Sequence, residues 1–409
     1  MKSIGSWFMG DRVIWVVYFF LCIISLVEVF SAASTLAYKS GSFWDPLIKQ
    51  AGFLTIGTVI AVVIHKVPCR MFKAVPILML PVSMILLLVT LFSGKSTNGA
   101  SRWFEFLGIQ FQPSELAKGA VVITVALILS RMQRENGADR RAFKLIMWVA
   151  GITCALILPE NLSTACLLFG VVVLMMFIGR VSLLQLGKLF GVLALVGCLG
   201  ALLVFSMPKD SSVSDVPLLH RMQTWSNRIS SHLTSGEDDM KEDPLTYDID
   251  KDAQVAHANI AIASCNFVGK MPGNSVERDF LSQAFSDFIF AIIIEEMGLW
   301  GAAAVVFLYV ILLFRAGRIS SRCERTFPPF LAMGLTLLLV SQAILNMLVA
   351  VGLFPVTGQP LPLISRGGTS TLINCVYIGM ILSVSRYAKQ VTQPQHTQFD
   401  GPMTEIKHE

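Results

Sequence analysis

The sequence predicts an all-α polytopic membrane protein of about ten transmembrane helices, with a large extracytoplasmic loop between the seventh and eighth, and three observations carry that expectation. Charged residues make up only 14% of the 409-residue chain and apolar residues 54%, against roughly 25% charged in a soluble globular domain. Apolar runs recur throughout at lengths near the ~20 residues needed to cross a hydrocarbon core. The Lys and Arg residues between the runs cluster in alternate loops, as they do in chains threaded back and forth through a bilayer.

The longer runs are Val13–Ser31, Ala74–Phe92, Leu189–Phe205, Phe288–Phe314 and Phe330–Val351; the shorter are Ala51–Ile64, Leu116–Ser130, Phe143–Leu158, Ala165–Ile178 and Thr371–Val384. An even number of spans puts both termini on one side. Lys66, Arg70 and Lys73 follow the second span, Arg131, Arg134, Arg140, Arg141 and Lys144 the fourth, and Arg315, Arg318, Arg322 and Arg325 the eighth. All these loops share a face, which the positive-inside rule makes cytoplasmic. Topology thus accounts for the net charge of +5 without nucleic acid. The expected organisation is a transmembrane domain over 1–390, with its large outer loop at 207–285, and a cytoplasmic tail over 391–409. The first run is too long for the apolar region of a signal peptide and contains Glu28, so it reads as an uncleaved span. With only Cys265 of eight cysteines outside, no disulfide framework is expected.

Polar residues gather at the outer edge, in Gly94–Glu115, Met207–Phe285 and Gly352–Ser370. A channel or transporter would place them at mid-membrane. Taken as one helix, Asp287–Phe314 spans about 40 Å against a hydrocarbon core of roughly 30 Å. Counting back from Arg315, Glu295 and Glu296 fall at the outer boundary and Asp287 about 12 Å beyond, among headgroups and water. Glu115 suits the positive end of a helix opened by Pro113, and Lys118, three residues on, can pair with it inside the apolar boundary. Phe354–Gly368, restricted by prolines and loosened by glycines, reads as a re-entrant loop buried in protein.

Three segments in this order, Asn98–Trp103 with Gln112–Lys118, Gly269–Val276 with Asp287–Glu296, and Phe354–Gly368, resemble the SEDS family (shape, elongation, division and sporulation) over nearly the whole chain. The Gly273-Asn274-Ser275 stretch is more similar to the division members than to the elongation members. The resemblance implies a peptidoglycan glycosyltransferase of the bacterial cytoplasmic membrane, at the division septum, which polymerises lipid II with inversion. It implies Asp287 as the catalytic base, and Arg102, Glu115, Lys118, Ser365 and Arg366 as substrate-binding residues, with a divalent cation (Mg or Mn) at Glu115 as an open alternative to its orienting Lys118. The implied partners are a class B penicillin-binding protein, an FtsI-like transpeptidase, and other divisome proteins. The chain departs from the family pattern at Leu281-Ser282-Gln283, where Leu-Pro-Glu is usual, at Arg366, where Tyr is usual, and at Cys265-Asn266, where Gly-Gly is usual. A lipid II flippase, which needs a polar path through the bundle, and a scaffold that recruits the transpeptidase, which makes Asp287 dispensable, are the rival readings.

The topology is testable directly. In a background lacking Cys265, a cysteine at Ser212 is expected to react with an impermeant thiol reagent added outside the cell, and one at Ser320 only after permeabilisation. Labelling of position 320 in intact cells would invert the assignment.

Overall fold

A computed structural model describes residues 9–32, 44–93, 95–97, 100–106, 109–135, 137–206, 253–281 and 284–392. Each of the ten expected runs lies in a helix: α1 Arg12–Ala32, α2 Asp45–Ile64, α3 Val75–Ser93, α4 Pro113–Arg131, α5 Arg140–Ile157, α6 Leu162–Ile178, α7 Leu183–Ser206, α9 Ile289–Ser320, α10 Phe327–Ala350 and α11 Thr369–Thr392. A further helix, α8 (Ala253–Ala263), lies between α7 and α9. Among the described residues seven helices, α1 to α4 and α9 to α11, are long and apolar enough to cross a membrane, and α6 and part of α7 are shorter apolar helices.

Helix starts follow local chemistry. Prolines occupy the first turn of α2, α4 and α10, where a missing N–H costs nothing. Asp139 and Asn161 cap α5 and α6 through the amides of Arg141 and Thr164. The Arg141 amide, with the Arg134 guanidinium beside it, holds the Asp139 carboxyl below its ordinary value.

Packing centres on α4, which touches α3, α5, α6 and α10 and is buried at nearly every position from Pro113 to Leu129. Small residues let its neighbours approach: a Cβ on Gly119 would meet the Tyr377 hydroxyl of α11 at 2.3 Å, and one on Gly334 of α10 would meet Met175 of α6 at 2.6 Å. At the basic face, Arg315 pairs with Asp11 and Lys389 donates to Gly10 O, so the ends of α1, α9 and α11 are tied together.

The all-α expectation needs one correction. The segment between α3 and α4 forms a three-stranded antiparallel sheet, β1 (Lys95–Thr97), β2 (Ala100–Phe106) and β3 (Ile109–Phe111), with Phe104 opposite Phe111 and Phe106 opposite Ile109. Trp103-Phe104-Glu105-Phe106 and Ile109-Gln110-Phe111 are rich in aromatic and β-branched residues and suit strands. A short hairpin, β4 (Gln133–Arg134) with β5 (Gly137–Ala138), joins α4 to α5.

The straight-rod reading of Asp287–Phe314 is also corrected. The helix begins at Ile289, with Phe288 at the N-cap position, and is broken at Gly298 (φ 67°, ψ −170°). Residues 288–296 before the break are all buried, whereas Leu299, Trp300, Phe307 and Phe314 beyond it are exposed. The depth order is reversed as well. Glu296 receives the Ser31 hydroxyl near the outer end of α1. The turn before α9 is instead tied to the last loop, where Ser365 Oγ donates to Ser286 O at 2.6 Å and the adjacent Ile364 O accepts from Ser25 at 2.7 Å. Ser25 and Ser31 are separated by six residues of α1, about 9 Å of helix. Asp287 therefore lies inward of Glu295 and Glu296 rather than beyond them. Counting 1.5 Å per residue fails once Gly298 leaves the helical region.

The break is built from two glycines back to back. A Cβ on Gly298 would lie 2.5 Å from Gly269 N and Phe267 O, and one on Gly269 would lie 2.3 Å from Gly298 N; both glycines have positive φ. Gly298→Ala should therefore lower stability by about 2 kcal/mol or more, from left-handed strain plus backbone collision. Gly151→Ala, inside α5 where a Cβ meets nothing within 4 Å, should leave stability unchanged or raise it by up to about 1 kcal/mol. Equal unfolding midpoints for both variants in detergent would contradict the packing described.

Candidate active site

Asp287 sits on a half-buried turn just before α9. Its Oδ1 accepts from Ser286 Oγ at 3.0 Å, and its backbone carbonyl accepts from Asn346 Nδ2 at 2.9 Å. The same Asn346 amide donates to Gln359 O at 2.8 Å, so one side chain of α10 joins the Asp287 turn to the last loop. Two further rungs run alongside: Ser365 Oγ to Ser286 O, and Arg366 N to Phe285 O at 3.0 Å. The Arg366 guanidinium lies over the Phe285 ring, 5.5 Å from its centroid, a cation–π contact. The turn carrying the carboxylate is thus fixed by backbone and side chains of the last motif.

That loop is buried in the protein, as a re-entrant segment requires. Leu361, Leu363 and Ile364 are inaccessible. Its carbonyls are answered from the bundle: Pro360 O by Gln342 at 3.0 Å, Ile364 O by Ser25, and Pro362 O by Tyr309. Gln359 donates to Thr164 of α6 at 2.6 Å. Ser365 is spent on bracing, since its hydroxyl donates to Ser286 O and accepts from Leu361 N at 2.8 Å.

Below this lies the α4 pair. Lys118 Nζ is 2.7 Å from Glu115 Oε1 and 2.7 Å from Gln342 Oε1, with the Lys118 side chain 0% exposed. Gln342 and Asn346 are one turn apart on α10, about 6 Å along its axis. The cation is therefore anchored one turn inward of the Asp287 brace. Glu115 faces the Lys118 ammonium at ion-pair distance, and no group of three or more His, Cys, Asp or Glu residues occurs among the described residues, so a divalent cation there would draw most of its oxygen ligands from substrate phosphates and water rather than from protein. The backbone of Arg102 is in β2; its side chain lies outside the described part of the structure.

A second cluster, on buried Glu295 and Glu296, lies at the other end of the first part of α9. Lys270 Nζ is 2.6 Å from Glu295 Oε1, Val276 N donates to Glu295 at 3.1 Å, Ser275 N donates to Glu296 at 3.2 Å, and Arg278 reaches both Ser31 and Glu296. Backbone amides of Lys270 and Met271 also donate to the carbonyls of Glu295 and Glu296. Sequence reasoning quoted both glutamates but not this task, and it missed Gln342 and Asn346. The signal was present: two amides at i and i+4 on one face of an otherwise apolar span.

These features define an integral membrane protein whose half-buried carboxylate at Asp287 is held between the start of α9 and the buried last loop, and known proteins share its form. The chain matches the cell cycle protein family of FtsW, RodA and SpoVE over residues 11–390 and belongs to it, that is, to the SEDS family. It is 31% identical over 388 residues to a probable peptidoglycan glycosyltransferase FtsW of Halomonas elongata, covering 91% of this chain and 90% of that one. The corresponding protein of Nitrosomonas europaea is 32% identical over 371 residues, covering 88% and 89%. The fold is that of a chain from a peptidoglycan synthase complex (TM-score 0.72, 22% identity, 93% of this chain and 99% of that). It is likewise that of the Thermus thermophilus rod shape determining protein RodA (TM-score 0.63, 20% identity, 95% and 100%).

The α4 pair should behave as a unit. Lys118→Met strands a buried carboxylate and is expected to cost about 3–5 kcal/mol. Adding Glu115→Gln should restore part of that loss, so the double variant unfolds at a higher temperature than Lys118→Met alone. Strictly additive losses in a double-mutant cycle would show that the two side chains act separately.

Proposed function

We propose that this protein is a peptidoglycan glycosyltransferase that polymerises lipid II at the outer face of the bacterial cytoplasmic membrane, in septal wall synthesis, with both termini in the cytoplasm and ten crossings between them. Family membership supports the class. The observation that carries the residue assignment is the placement of Asp287, a half-buried carboxylate on a turn held by Asn346, Ser365 and the Arg366 backbone.

Asp287 takes the proton from the 4-hydroxyl of the acceptor GlcNAc as that oxygen attacks the anomeric carbon of the donor MurNAc, inverting it and expelling the lipid pyrophosphate. The carboxylate accepts the Ser286 hydroxyl at 3.0 Å, and an ionised carboxylate has about four acceptor positions in all, so this contact is compatible with its also accepting a substrate hydroxyl. The departing pyrophosphate needs fixed positive charge, which is effective where water is excluded. Arg366, half-buried beside the Asp287 turn, is placed to supply it, and Arg102, on the central strand β2 of the sheet before α4, is the second candidate. Lys118 is fully buried with its ammonium engaged, so it acts from beneath as a fixed charge oriented by Glu115. Ser365 positions the turn rather than touching substrate. The implied partners are a class B penicillin-binding protein of the FtsI type and other divisome proteins, to which polymerised strands pass for crosslinking.

Asp287→Asn keeps the size of the side chain and removes its basicity. With the partner transpeptidase present, it is expected to reduce conversion of lipid II to glycan at least about 100-fold, with membrane insertion and partner binding unchanged. Wild-type polymerisation by this variant would remove Asp287 from the mechanism. Transport of lipid II across liposomes by a wild type that never polymerises would establish the flippase instead.

A further inference from the structure

A second concave site lies at the opposite end of the molecule. A cavity of about 190 Å³ opens among the chain after α2, the start of α10 and the end of α11, and four cations line it: Arg70, Lys73, Arg325 and Arg386. Its lining contains no carboxylate. Among the described residues none of the four cations has an ion pair, while Lys73 lies over the Phe327 ring at 5.5 Å and Arg386 donates to Lys66 O at 2.8 Å. The inner wall is buried, formed by Cys69, Phe327 and Ser383.

The positive-inside rule explains the sign of these loops but not their convergence. Basic residues that share no cavity would satisfy it equally well, as Arg140 and Lys144, one turn apart at the start of α5, do. Four cations from three chain segments around one cavity repel one another unless an anion sits among them. Three of the four are arginines, whose planar forks match phosphate oxygens two at a time. The volume is below the ~300–1,000 Å³ of pockets that enclose whole drug-sized ligands, which suits a single phosphate group with its ester substituents. Beside the mouth, Met71 (62% exposed) and then Ile77 (75%) and Leu78 (63%) at the start of α3 present apolar surface outward, a position for acyl chains continuous with a phosphate in the pocket.

We propose that this pocket binds a phosphate-bearing anion, with the headgroup of an anionic phospholipid in the adjacent leaflet as the source its apolar border favours. Arg70 and Arg325, both exposed at the rim, grip the phosphate, and Lys73 and Arg386 close it from the sides. Bound lipid would then bridge the α2–α3 connection, α10 and α11 at the face opposite the candidate active site.

The test uses the full-length protein in neutral detergent with an equimolar mixture of phosphatidylglycerol and phosphatidylcholine, read by native mass spectrometry. Wild type is expected to retain phosphatidylglycerol selectively. The double variant Arg70→Gln/Arg325→Gln should retain it roughly tenfold less, and the control pair Arg140→Gln/Lys144→Gln should match wild type. An unchanged unfolding midpoint of the double variant without added lipid separates lost binding from lost fold. A second arm titrates inorganic phosphate. If phosphate raises the unfolding midpoint of wild type but not of the double variant, and phosphatidylglycerol is not preferred, the pocket stands and its ligand is a soluble phosphate. The proposal falls if the double variant keeps both responses, or if the control pair loses them equally, which would leave only diffuse attraction of anions to a basic face.

Discussion

Non-helical backbone survives at the depth of a bilayer only where the protein itself answers its N–H and C=O groups, because no water is there to do so. The segment 357–365, buried at nearly every residue, lives under that constraint, and the more exposed turn 269–276 has its inward-facing N–H groups answered in the same way. Glu295 and Glu296 serve the turn, taking amide hydrogens on carboxylates and main-chain carbonyls alike. Gln342, Asn346, Ser25 and Tyr309 serve the buried segment. Glu295, Glu296, Gln342, Asn346, Ser25 and Tyr309 therefore each have a structural employment before any catalytic one, and the Asp287 turn is held by neighbours that are themselves committed.

The same constraint separates residues that face substrate from residues that hold others in place. A buried ion pair contributes little net stability when intact and costs several kcal/mol when broken, so Glu115 and Lys118 are better understood as a fixed charge of known orientation than as a stabilising contact. Gln342 couples that charge to the last loop, and Asn346, one turn further out, couples the same loop to the Asp287 turn. A single face of α10 sets the relation between the proposed base and the deepest cation.

The departures from the usual family pattern fall in loops rather than in this frame. Arg366 stacks on Phe285, and the backbone of the same residue bonds that of Phe285, so an arginine occupies the place by using its stem and its face as an aromatic would. Ser282 and Gln283 lie outside the described residues. Cys265 and Asn266 precede the Gly269–Gly298 contact, and the close approach depends on those glycines rather than on the pair before them.

Long apolar runs carry a one-dimensional signal, and it was enough to place a helix at each of ten runs, though with ends as much as eight residues off (Val384 against Thr392), and to pair Glu115 with Lys118, because hydrophobic length and i,i+3 spacing are local properties. The resemblance carried by three motifs was likewise legible without coordinates. What the sequence left undecided depended on contacts between distant segments: the break at Gly298, which reversed the depth of Asp287 relative to Glu295 and Glu296; the sheet of β1 to β3; and the bracing duties of Gln342, Asn346 and Ser365. A helix continues or breaks at a glycine according to what packs against it, and here the deciding neighbour, Gly269, stands 29 residues earlier on another loop. Local propensity does not encode that approach; only the assembled bundle brings the two backbones together.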